Sequence, residues 1–372
     1  MRDELAEALL AKVMGWSDEE KARERPILQD FARYKYDEYQ QYAPGRRFIE
    51  SLALWLRQFE TVAERKVAYD FFRTRLIFIS TAEMRHLVEL AFPVIIQPGL
   101  IAKAATALSV DPQRSKFVVS SPVYTQVLRQ TLFLGLSDGA RTDVFRRSHP
   151  QISNEQLWHA YDISDEKAAS MHKKLKKALE QQLAREPTED ECKFHTLCLL
   201  DDFTASGTSY IRRLENGQWD GKIPKILQKL CEDNGALSQI FTKDNIEVVV
   251  CIYVAARQAI DHIEADLNQF NFPKGRVRLK VVHALPPEAR LHSPDDDKII
   301  ALASADRYFD EVVDDEHAGV GGTTMRFGYA DCRLPLVLPH NVPNNSLYLL
   351  WGEYEQTFTG LFPRVSRHKR GG

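Results

Sequence analysis

Four short apolar runs, separated by longer amphipathic stretches, constrain the fold of this 372-residue chain more than any other feature. The runs occupy residues 131–138, 195–203, 246–256 and 277–285. Each is short and continuously apolar, which is typical of a strand buried on both faces. The stretches at 153–185, 208–232 and 257–270 carry helical patterns. Strands that alternate with helices predict an α/β fold with a parallel sheet flanked by helices.

The predicted α/β core covers residues 113–290 and includes a helical insertion at about 146–193. An α-helical N-terminal region is predicted over 1–112, where apolar residues recur at spacings of three and four. Residues 291–372 mix strand, loop and helix signals and are predicted to be a C-terminal extension that could form a hood. The chain is therefore expected to have three parts.

One helix of the N-terminal region has readable ends. Ser80 and Glu83 have the spacing of a capping box, in which each residue bonds the backbone of the other. Because Pro93 disfavours helical backbone at the residue before it, the helix is predicted to end near Phe92.

Charge, hydropathy and cysteine content exclude several classes of protein. The formal net charge of −3 provides no global field that would steer the chain to nucleic acid or to a membrane. No stretch of about 20 uncharged apolar residues occurs, so no membrane span is predicted. The five cysteines include no CxxC pair, which favours a reducing cytoplasm. The motifs of P-loop nucleotide hydrolases, zincin proteases and α/β-hydrolases are absent from the sequence.

The stretch "LCLLDDFTASGTS" at 197–209 carries the strongest chemical signal. Asp201 and Asp202 follow an apolar run and are predicted to lie at the carboxyl end of a central strand, where open α/β sheets bind ligands. Gly207 would let the backbone approach a ligand closely, and a helix is predicted to begin near Thr208. Two carboxylates beside a loop of small and hydroxyl residues fit a ribose that carries a 5′-phosphate.

This stretch resembles the phosphoribosyl-pyrophosphate (PRPP) signature of type I phosphoribosyltransferases. That signature is an apolar strand, an acidic pair, two apolar positions, two small residues and usually Gly-Thr; Thr204 stands here where an aliphatic residue is usual. The resemblance implies that Asp201 and Asp202 are the catalytic candidates, holding the ribose 2′- and 3′-hydroxyls. The 5′-phosphate would lie against Thr204, Ala205, Ser206, Gly207, Thr208 and Ser209.

The resemblance also implies a pyrophosphate loop after an earlier strand, for which "LFLGLSDGARTD" at 132–143 has the right position. The candidate residues of this loop are Ser137, Asp138, Gly139 and Arg141. Mg²⁺ would enter with the pyrophosphate, since it prefers phosphate oxygens and a few carboxylates or waters. Arg257, which follows the run at 246–256, could face the ligand or could be an ordinary helix-surface arginine.

A narrower resemblance covers roughly residues 120–351. "LFLGLSDGARTDVFRRS", "LLDDFTASGTS" and "PHNVPNNSLYLLW" are similar to phosphoribosyltransferase-like proteins of bacterial conflict and antiviral systems, some of them encoded beside retron reverse transcriptases. This resemblance implies a defence effector, with a reverse transcriptase–RNA complex as a candidate partner. A homo-oligomer is also compatible with it.

The interval 146–193 decides between two functions. Catalytic type I enzymes usually carry a mobile hairpin there that closes over the active site. Here the interval has a helical pattern, with "SNEQ" at 153–156 as its cap. The acidic pair favours an enzyme that acts at ribose C1, whereas the missing hairpin favours a catalytically silent nucleotide sensor or scaffold.

A run of lysines lies in the same interval, at Lys173, Lys174, Lys176 and Lys177. Such a run is most often a solvated helix face. A patch that binds phosphate or nucleic acid is the alternative.

Overall fold

The structure, a computed structural model, describes residues 3–314, 319, 321–322, 324–354 and 358–364. The chain forms two compact units, Met84–Leu285 and a second unit that joins Met1–Glu83 to Pro286–Gly372. The strands are β1 (Ile77–Phe78), β2 (Thr131–Gly135), β3 (Leu157–Trp158), β4 (Thr196–Thr204), β5 (Arg212–Arg213), β6 (Trp219–Asp220), β7 (Ile246–Ala256), β8 (Gly275–Leu285), β9 (Leu336–Val337), β10 (Glu353–Tyr354) and β11 (Phe358–Thr359).

The α-helices are numbered in the same way. They are α1 (Asp3–Met14), α2 (Asp18–Tyr34), α3 (Phe48–Arg57), α4 (Val62–Thr74), α5 (Thr81–Leu90), α6 (Gln97–Leu108), α7 (Ser115–Val119), α8 (Pro122–Arg129), α9 (Thr142–Ser148), α10 (Asp165–Leu183), α11 (Lys222–Cys231), α12 (Ala236–Ile240), α13 (Arg257–Gln269) and α14 (Asp297–Ala303). A short helix also covers Tyr348–Trp351.

The unit Met84–Leu285 is built on a five-stranded sheet with the order β3-β2-β4-β7-β8, in which every neighbouring pair is parallel. Leu134, Leu199, Val250 and Leu279 lie side by side across four of the strands. The predicted α/β class and its parallel sheet are therefore confirmed. β8 is an exception to the predicted burial, because as an edge strand it is partly exposed along most of its length.

Helices cover both faces of this sheet. Apolar residues of α10, α11 and α13 form one core with inward-facing residues of β2, β4 and β7. The segment Ala91–Ile96, between α5 and α6, packs on β7 and β8. Burial on both faces explains why the central strands read as continuous apolar runs.

The capping box at Ser80 is confirmed, since the Glu83 carboxylate accepts from the Ser80 backbone N–H at 2.7 Å and the Ser80 hydroxyl accepts from the Glu83 backbone N–H at 3.1 Å. The predicted end near Phe92 is wrong, because a π-helical segment, Ala91–Ile96, carries the helix through Pro93. Proline deprives the carbonyl four residues earlier of its helical donor. That carbonyl, of Glu89, lies 3.0 Å from His149 Nε2, which donates to it when this nitrogen carries the ring proton.

Among the described residues, one helix, Thr81–Leu108, is long and apolar enough to cross a membrane by length and composition. This is weak evidence, since core helices of folded domains pass the same test. Its central segment packs on β7 and β8, as a helix that covers a sheet does. The absence of a membrane span stays a prediction.

The second unit combines the two ends of the chain around one aromatic core. Trp55 of α3 is buried, and its Nε1 donates to the carbonyl of Leu349 at 2.8 Å. β1 pairs in parallel with β9, and Phe48 stacks on Phe362. The boundaries of the two units, after Glu83 and after Leu285, differ from the predicted boundaries at 112 and 290. The N-terminal helices join the end of the chain in one unit because residues after 286 bury their apolar stripe. The hood role of 291–372 stays a prediction.

The interval 146–193 is less helical than predicted. Ser153 and Gln156 form the expected capping box, but it begins only one 3₁₀ turn. The chain then adds the edge strand β3, and the long helix α10 begins at Asp165 with Ser164 as its N-cap. A two-residue strand carries too little periodicity to be recognised in a sequence.

Candidate functional site

The candidate residues of the acidic pair and both loops gather at one edge of the parallel sheet. The strands β2, β4 and β7 run in the same direction, so their carboxyl ends lie side by side. β2 leads into the loop 136–141, and β7 leads directly into α13. β4 contains the acidic pair near its carboxyl end, continues to Thr204 in register with β7, and leads into the loop 205–209. This edge is where open α/β sheets place their ligands.

Asp201 is 1% exposed, and its carboxylate is fully engaged with the protein. One oxygen accepts from the Ser137 hydroxyl and from the backbone N–H of Asp202 at 3.1 Å. The other accepts from the Tyr210 hydroxyl at 2.6 Å and from Lys222 Nζ at 2.8 Å. A carboxylate has about four acceptor positions. Asp201 therefore has none left for a sugar hydroxyl unless one of these bonds breaks.

Burial and the neighbouring charges have opposing effects on the pKa of Asp201. Burial raises the pKa of Asp201, the Lys222 ammonium acts to lower it, and the neighbouring Asp202 charge acts to raise it. Burial also raises the pKa of Tyr210 well above its ordinary value, with the Asp201 charge adding to the effect. The phenol consequently stays protonated and able to donate to Asp201.

Asp202 is half-buried, and its carboxylate lies against Gly139 of the preceding loop. A Cβ atom at residue 139 would lie 2.1 Å from Asp202 Oδ2, so only glycine fits this close approach. Asp202 Oδ1 accepts from the backbone N–H of Phe203 at 2.9 Å. Of the two carboxylates, Asp202 is the one that reaches the predicted pyrophosphate loop at a partly exposed position.

The predicted pyrophosphate loop turns tightly beside the acidic pair. Residues Asp138–Ala140 form a 3₁₀ turn in which Asp138 is exposed. Arg141 has left-handed backbone (φ 47°) and immediately precedes α9. The buried hydroxyl of Tyr253, on β7, donates to the Ala140 carbonyl at 2.7 Å. This hydrogen bond from β7 thus holds the predicted pyrophosphate loop against the sheet.

The predicted phosphate loop is partly buried. Thr204 and Ala205 are buried, Ser206 Oγ lies 3.0 Å from Thr208 Oγ1, and Ser209 is exposed. Gly207 has φ +79°, and a Cβ there would lie within about 3 Å of α13, at His262, Ala259 and Ile263. Left-handed backbone and close packing both require glycine at this position.

The helix predicted to begin near Thr208 begins instead at Lys222. A turn and the short hairpin β5–β6 come between, and Gly217 has φ +81° in the connection. The Asn216-Gly217 pair is a hairpin signal that the helical pattern over 208–232 concealed. The loop therefore lacks an adjoining helix N-terminus. The Arg212 guanidinium, on β5, donates to the Thr208 carbonyl of the loop at 3.2 Å, and the Lys222 side chain binds Asp201.

Two residues of the site, Tyr210 and Lys222, were not predicted from the sequence. Both side chains bind Asp201, and Lys222 Nζ lies 5.0 Å from the centre of the Tyr210 ring. An aromatic residue directly after the signature, and a lysine that opens the next apolar helix, are the available signals. Neither signal specifies which carboxylate the side chains bind.

Arg257 is the first residue of α13, at the carboxyl end of β7. Its side chain is 51% exposed and lies 3.9 Å from Asp261, one turn along the helix. An exposed side chain at this end of the sheet fits both alternatives, a ligand-facing arginine and a helix-surface arginine, so the role of Arg257 stays a prediction.

The implied Mg²⁺ finds few protein ligands here. No group of three or more His, Cys, Asp or Glu side chains able to hold a metal occurs in the part of the chain that the structure describes. An ion that enters on pyrophosphate needs only one or two carboxylates, since phosphate oxygens and waters supply the rest. Asp202 and the exposed Asp138 are the side chains available for that purpose, and the ion stays a prediction.

The interval 146–193 bears on catalysis. It contains α9's last residues, the edge strand β3 and α10, and its described residues include no hairpin. The lid typical of catalytic type I enzymes is therefore not present between the two loops.

Comparison with known proteins gives one match. The PRTase-CE family model matches residues 52–364 of this chain. No curated protein and no solved structure matches it. The matched range includes the whole parallel sheet and both candidate loops, which accords with a phosphoribosyltransferase-like fold and a general phosphoribosyltransferase-like function. The chain belongs to the PRTase-CE family, whose members are phosphoribosyltransferase-like proteins.

Proposed function

We propose that this protein binds the ribose 5-phosphate part of PRPP or of a nucleotide at the carboxyl edge of its sheet. The 5-phosphate would lie on the backbone and hydroxyl groups of 206–209, and Asp202 would accept hydrogen bonds from the sugar hydroxyls. The observation that carries the proposal is the direct bond from Ser137, on the predicted pyrophosphate loop, to Asp201 of the acidic pair. It supports a single site with a pyrophosphate side and a phosphate side.

The proposed chemistry is transfer or cleavage at ribose C1. Departure of pyrophosphate, or of a base, leaves positive charge on the sugar, which a nearby carboxylate stabilises. Asp202 is suited to that role because it is partly exposed. Asp201 would act as a positioning residue that joins the Ser137 loop to Lys222. Mg²⁺, when bound with pyrophosphate, would neutralise the leaving group.

The proposed biological role is that of a cytoplasmic effector in bacterial antiviral defence. It follows from the narrower sequence resemblance to such proteins.

A second candidate function is nucleotide sensing or scaffolding without catalysis, with a reverse transcriptase–RNA complex as the partner. The specific observation that favours it is the interval 146–193, whose described residues supply a strand and a helix where catalytic relatives have a closing hairpin. Without a lid, water would compete at an exposed C1.

Isothermal titration with ribose 5-phosphate and PRPP, in the presence of Mg²⁺, tests the binding site. We expect both to bind, and Asp202→Asn to weaken PRPP about tenfold, which corresponds to about 1.4 kcal/mol. Asp233→Asn is the matched control, because Asp233 is an exposed carboxylate on the connection between α11 and α12, outside the candidate loops and the acidic pair. Absence of heat with both ligands would rule the site out.

Nucleotide pools separate the two functions. Cells that express the wild type would be compared with cells that express Asp201→Asn plus Asp202→Asn, before and after phage challenge. A change in PRPP, NAD or nucleotide levels that needs the two carboxylates supports the enzyme. Unchanged pools, together with PRPP binding in the titration, support the silent sensor.

A further inference from the structure

A cavity lies in the sheet-containing unit, away from the acidic pair. It is open to solvent and is bordered by α8, the 3₁₀ turn Asn154–Gln156 and α10, and its volume is about 710 Å³. Small-molecule sites commonly measure about 300–1,000 Å³, so a nucleotide-sized ligand would fit. None of the candidate residues of the phosphoribosyl site lines it.

The cavity lies at the opposite edge of the sheet from that site. Arg129 comes two residues before β2 begins, whereas Ser137 comes two residues after β2 ends. At about 3.3 Å per residue, the five residues of β2 alone span roughly 16 Å between the two positions. A ligand in the cavity and a ligand at the acidic pair would therefore occupy different sites.

The lining of the cavity has an excess of positive charge. Arg129, Lys174 and Lys177 line it, with Glu155 as the one carboxylate. Lys174 and Lys177, together with Gln181, recur at helical spacing and so share a face of α10. Two of the four lysines singled out in the sequence thus line this cavity, and both are exposed.

Glu155, the one carboxylate of the lining, already has partners within the protein. Glu155 accepts from the Ser153 hydroxyl and lies 3.8 Å from Lys174 Nζ. The Ser153 hydrogen bond lowers the pKa of Glu155, and the charges of Lys174 and Arg129 add to the effect. Glu155 therefore holds Lys174 in place and leaves an excess of two positive charges for a ligand.

Arg129 provides the most specific observation. Its Nη1 atom is buried and has no hydrogen-bond partner among the residues that the structure describes. Burial also lowers the pKa of this guanidinium. A buried donor without an acceptor costs free energy, more so when it is charged. Because the Nη1 atom is inaccessible to solvent, an oxygen atom of a bound anion would accept from it only after the Arg129 side chain shifts towards the cavity.

We propose that this cavity binds a phosphorylated small molecule of nucleotide size, with its phosphates on Arg129, Lys174 and Lys177. The guanidinium offers the planar donor fork that phosphate oxygens match, and the two ammonium groups supply charge. The amide of Gln181 is placed to bond a polar group of the remaining part of the ligand. This site is separate from the proposed phosphoribosyl site and does not depend on it.

The test compares two lysines one turn apart on α10. Lys177 lines the cavity, whereas Lys173 is exposed outside it, so Lys177→Ala and Lys173→Ala remove the same charge from neighbouring places. The probes are ATP, inorganic tripolyphosphate and adenosine, titrated calorimetrically at fixed ionic strength. Every protein in the comparison carries Asp202→Asn, so that binding at the proposed phosphoribosyl site is weakened throughout. We expect ATP and tripolyphosphate to bind, adenosine to bind far more weakly, and Lys177→Ala to weaken ATP at least fivefold. Lys173→Ala should change the affinity less than twofold.

Arg129→Met provides a second variant, and circular dichroism with urea denaturation shows whether it is folded. We expect at least a tenfold loss of ATP affinity with a nearly unchanged urea midpoint. Equal weakening by the two lysine variants would indicate a general charge effect and overturn the proposal. Three other results would also overturn the proposal. The first is an ATP affinity that Arg129→Met leaves unchanged, and the second is failure of both phosphate probes to bind. The third is a single-stranded RNA probe that binds through Lys177 when ATP does not bind.

Discussion

Lys222 Nζ lies 2.8 Å from Asp201 Oδ2, and Asp201 is 1% exposed. This buried ion pair joins the end of β4 to the first residue of α11, across the hairpin that separates them. The same carboxylate accepts from Ser137, on the other loop of the site. Asp201 therefore holds three segments together, and its neighbour Asp202 remains partly exposed.

The two adjacent carboxylates should respond differently to the same substitution. Asp201→Asn should lower the free energy of unfolding by about 2–3 kcal/mol, because it weakens charge-assisted bonds in a buried cluster. Asp202→Asn should lower it by about 1 kcal/mol or less, since that side chain is partly exposed. Urea denaturation measures both.

A double-mutant cycle with Lys222→Met isolates the pair. We expect a coupling of about 1–3 kcal/mol between Asp201→Asn and Lys222→Met. Fully additive effects would contradict the assignment of Asp201 as the partner of Lys222.

Gly139→Ala should impair the site through Asp202. The added methyl group would lie 2.1 Å from the Asp202 carboxylate, so this side chain would have to move away from its position. We expect PRPP to bind about tenfold more weakly, equivalent to about 1.4 kcal/mol, in isothermal titration. Gly99→Ala is the control, because a Cβ at that helical position meets no atom within 4 Å. Unchanged PRPP affinity in Gly139→Ala would show that Asp202 does not act from this position.

Gly207→Ala separates backbone strain from crowding when it is compared with Gly45→Ala. The two glycines have φ values of +79° and +80°, but only Gly207 has neighbours that a Cβ would meet. The shared left-handed backbone should cost each variant about 1–2 kcal/mol of unfolding free energy. Gly207→Ala should cost about 1–3 kcal/mol more, because the new atom overpacks against α13. Equal losses in urea denaturation would mean that the loop can move away from the helix.

Two histidines of the sheet-containing unit should make stability depend on pH. Burial lowers the pKa of His172 and of His195 from the ordinary value of 6.5, and positive charges nearby, Lys193 and Lys103 respectively, act in the same direction. Below about pH 6.5 the unfolded chain therefore binds protons that the folded chain does not. Stability from these groups is present above that pH and is lost as the pH falls towards the folded-state values.

Urea denaturation at pH 7.5 and at pH 5.5 tests this dependence. The free energy of unfolding should be lower at pH 5.5, and His195→Gln should reduce the difference between the two pH values. His86→Gln is the control, since His86 lies on the exposed side of its helix. A difference that His195→Gln leaves intact would place the pH dependence elsewhere.

Local sequence determined the strands and the signature segment. β7 coincides with the predicted run at 246–256, and β2, β4 and β8 lie within a few residues of theirs. These strands could be predicted because burial on both faces requires continuous apolar residues, which is a property of each segment alone. The placement of the acidic pair at a strand end is of the same kind.

Only the tertiary structure decided features that depend on distant partners. The helix passes through Pro93 because His149 reaches the Glu89 carbonyl. The N-terminal helices share a core with the end of the chain because each has an apolar face that it cannot bury alone. Asp201 and Asp202 look equivalent in the sequence. They differ in the structure because adjacent strand residues point in opposite directions, one towards Tyr210 and Lys222 and the other towards Gly139.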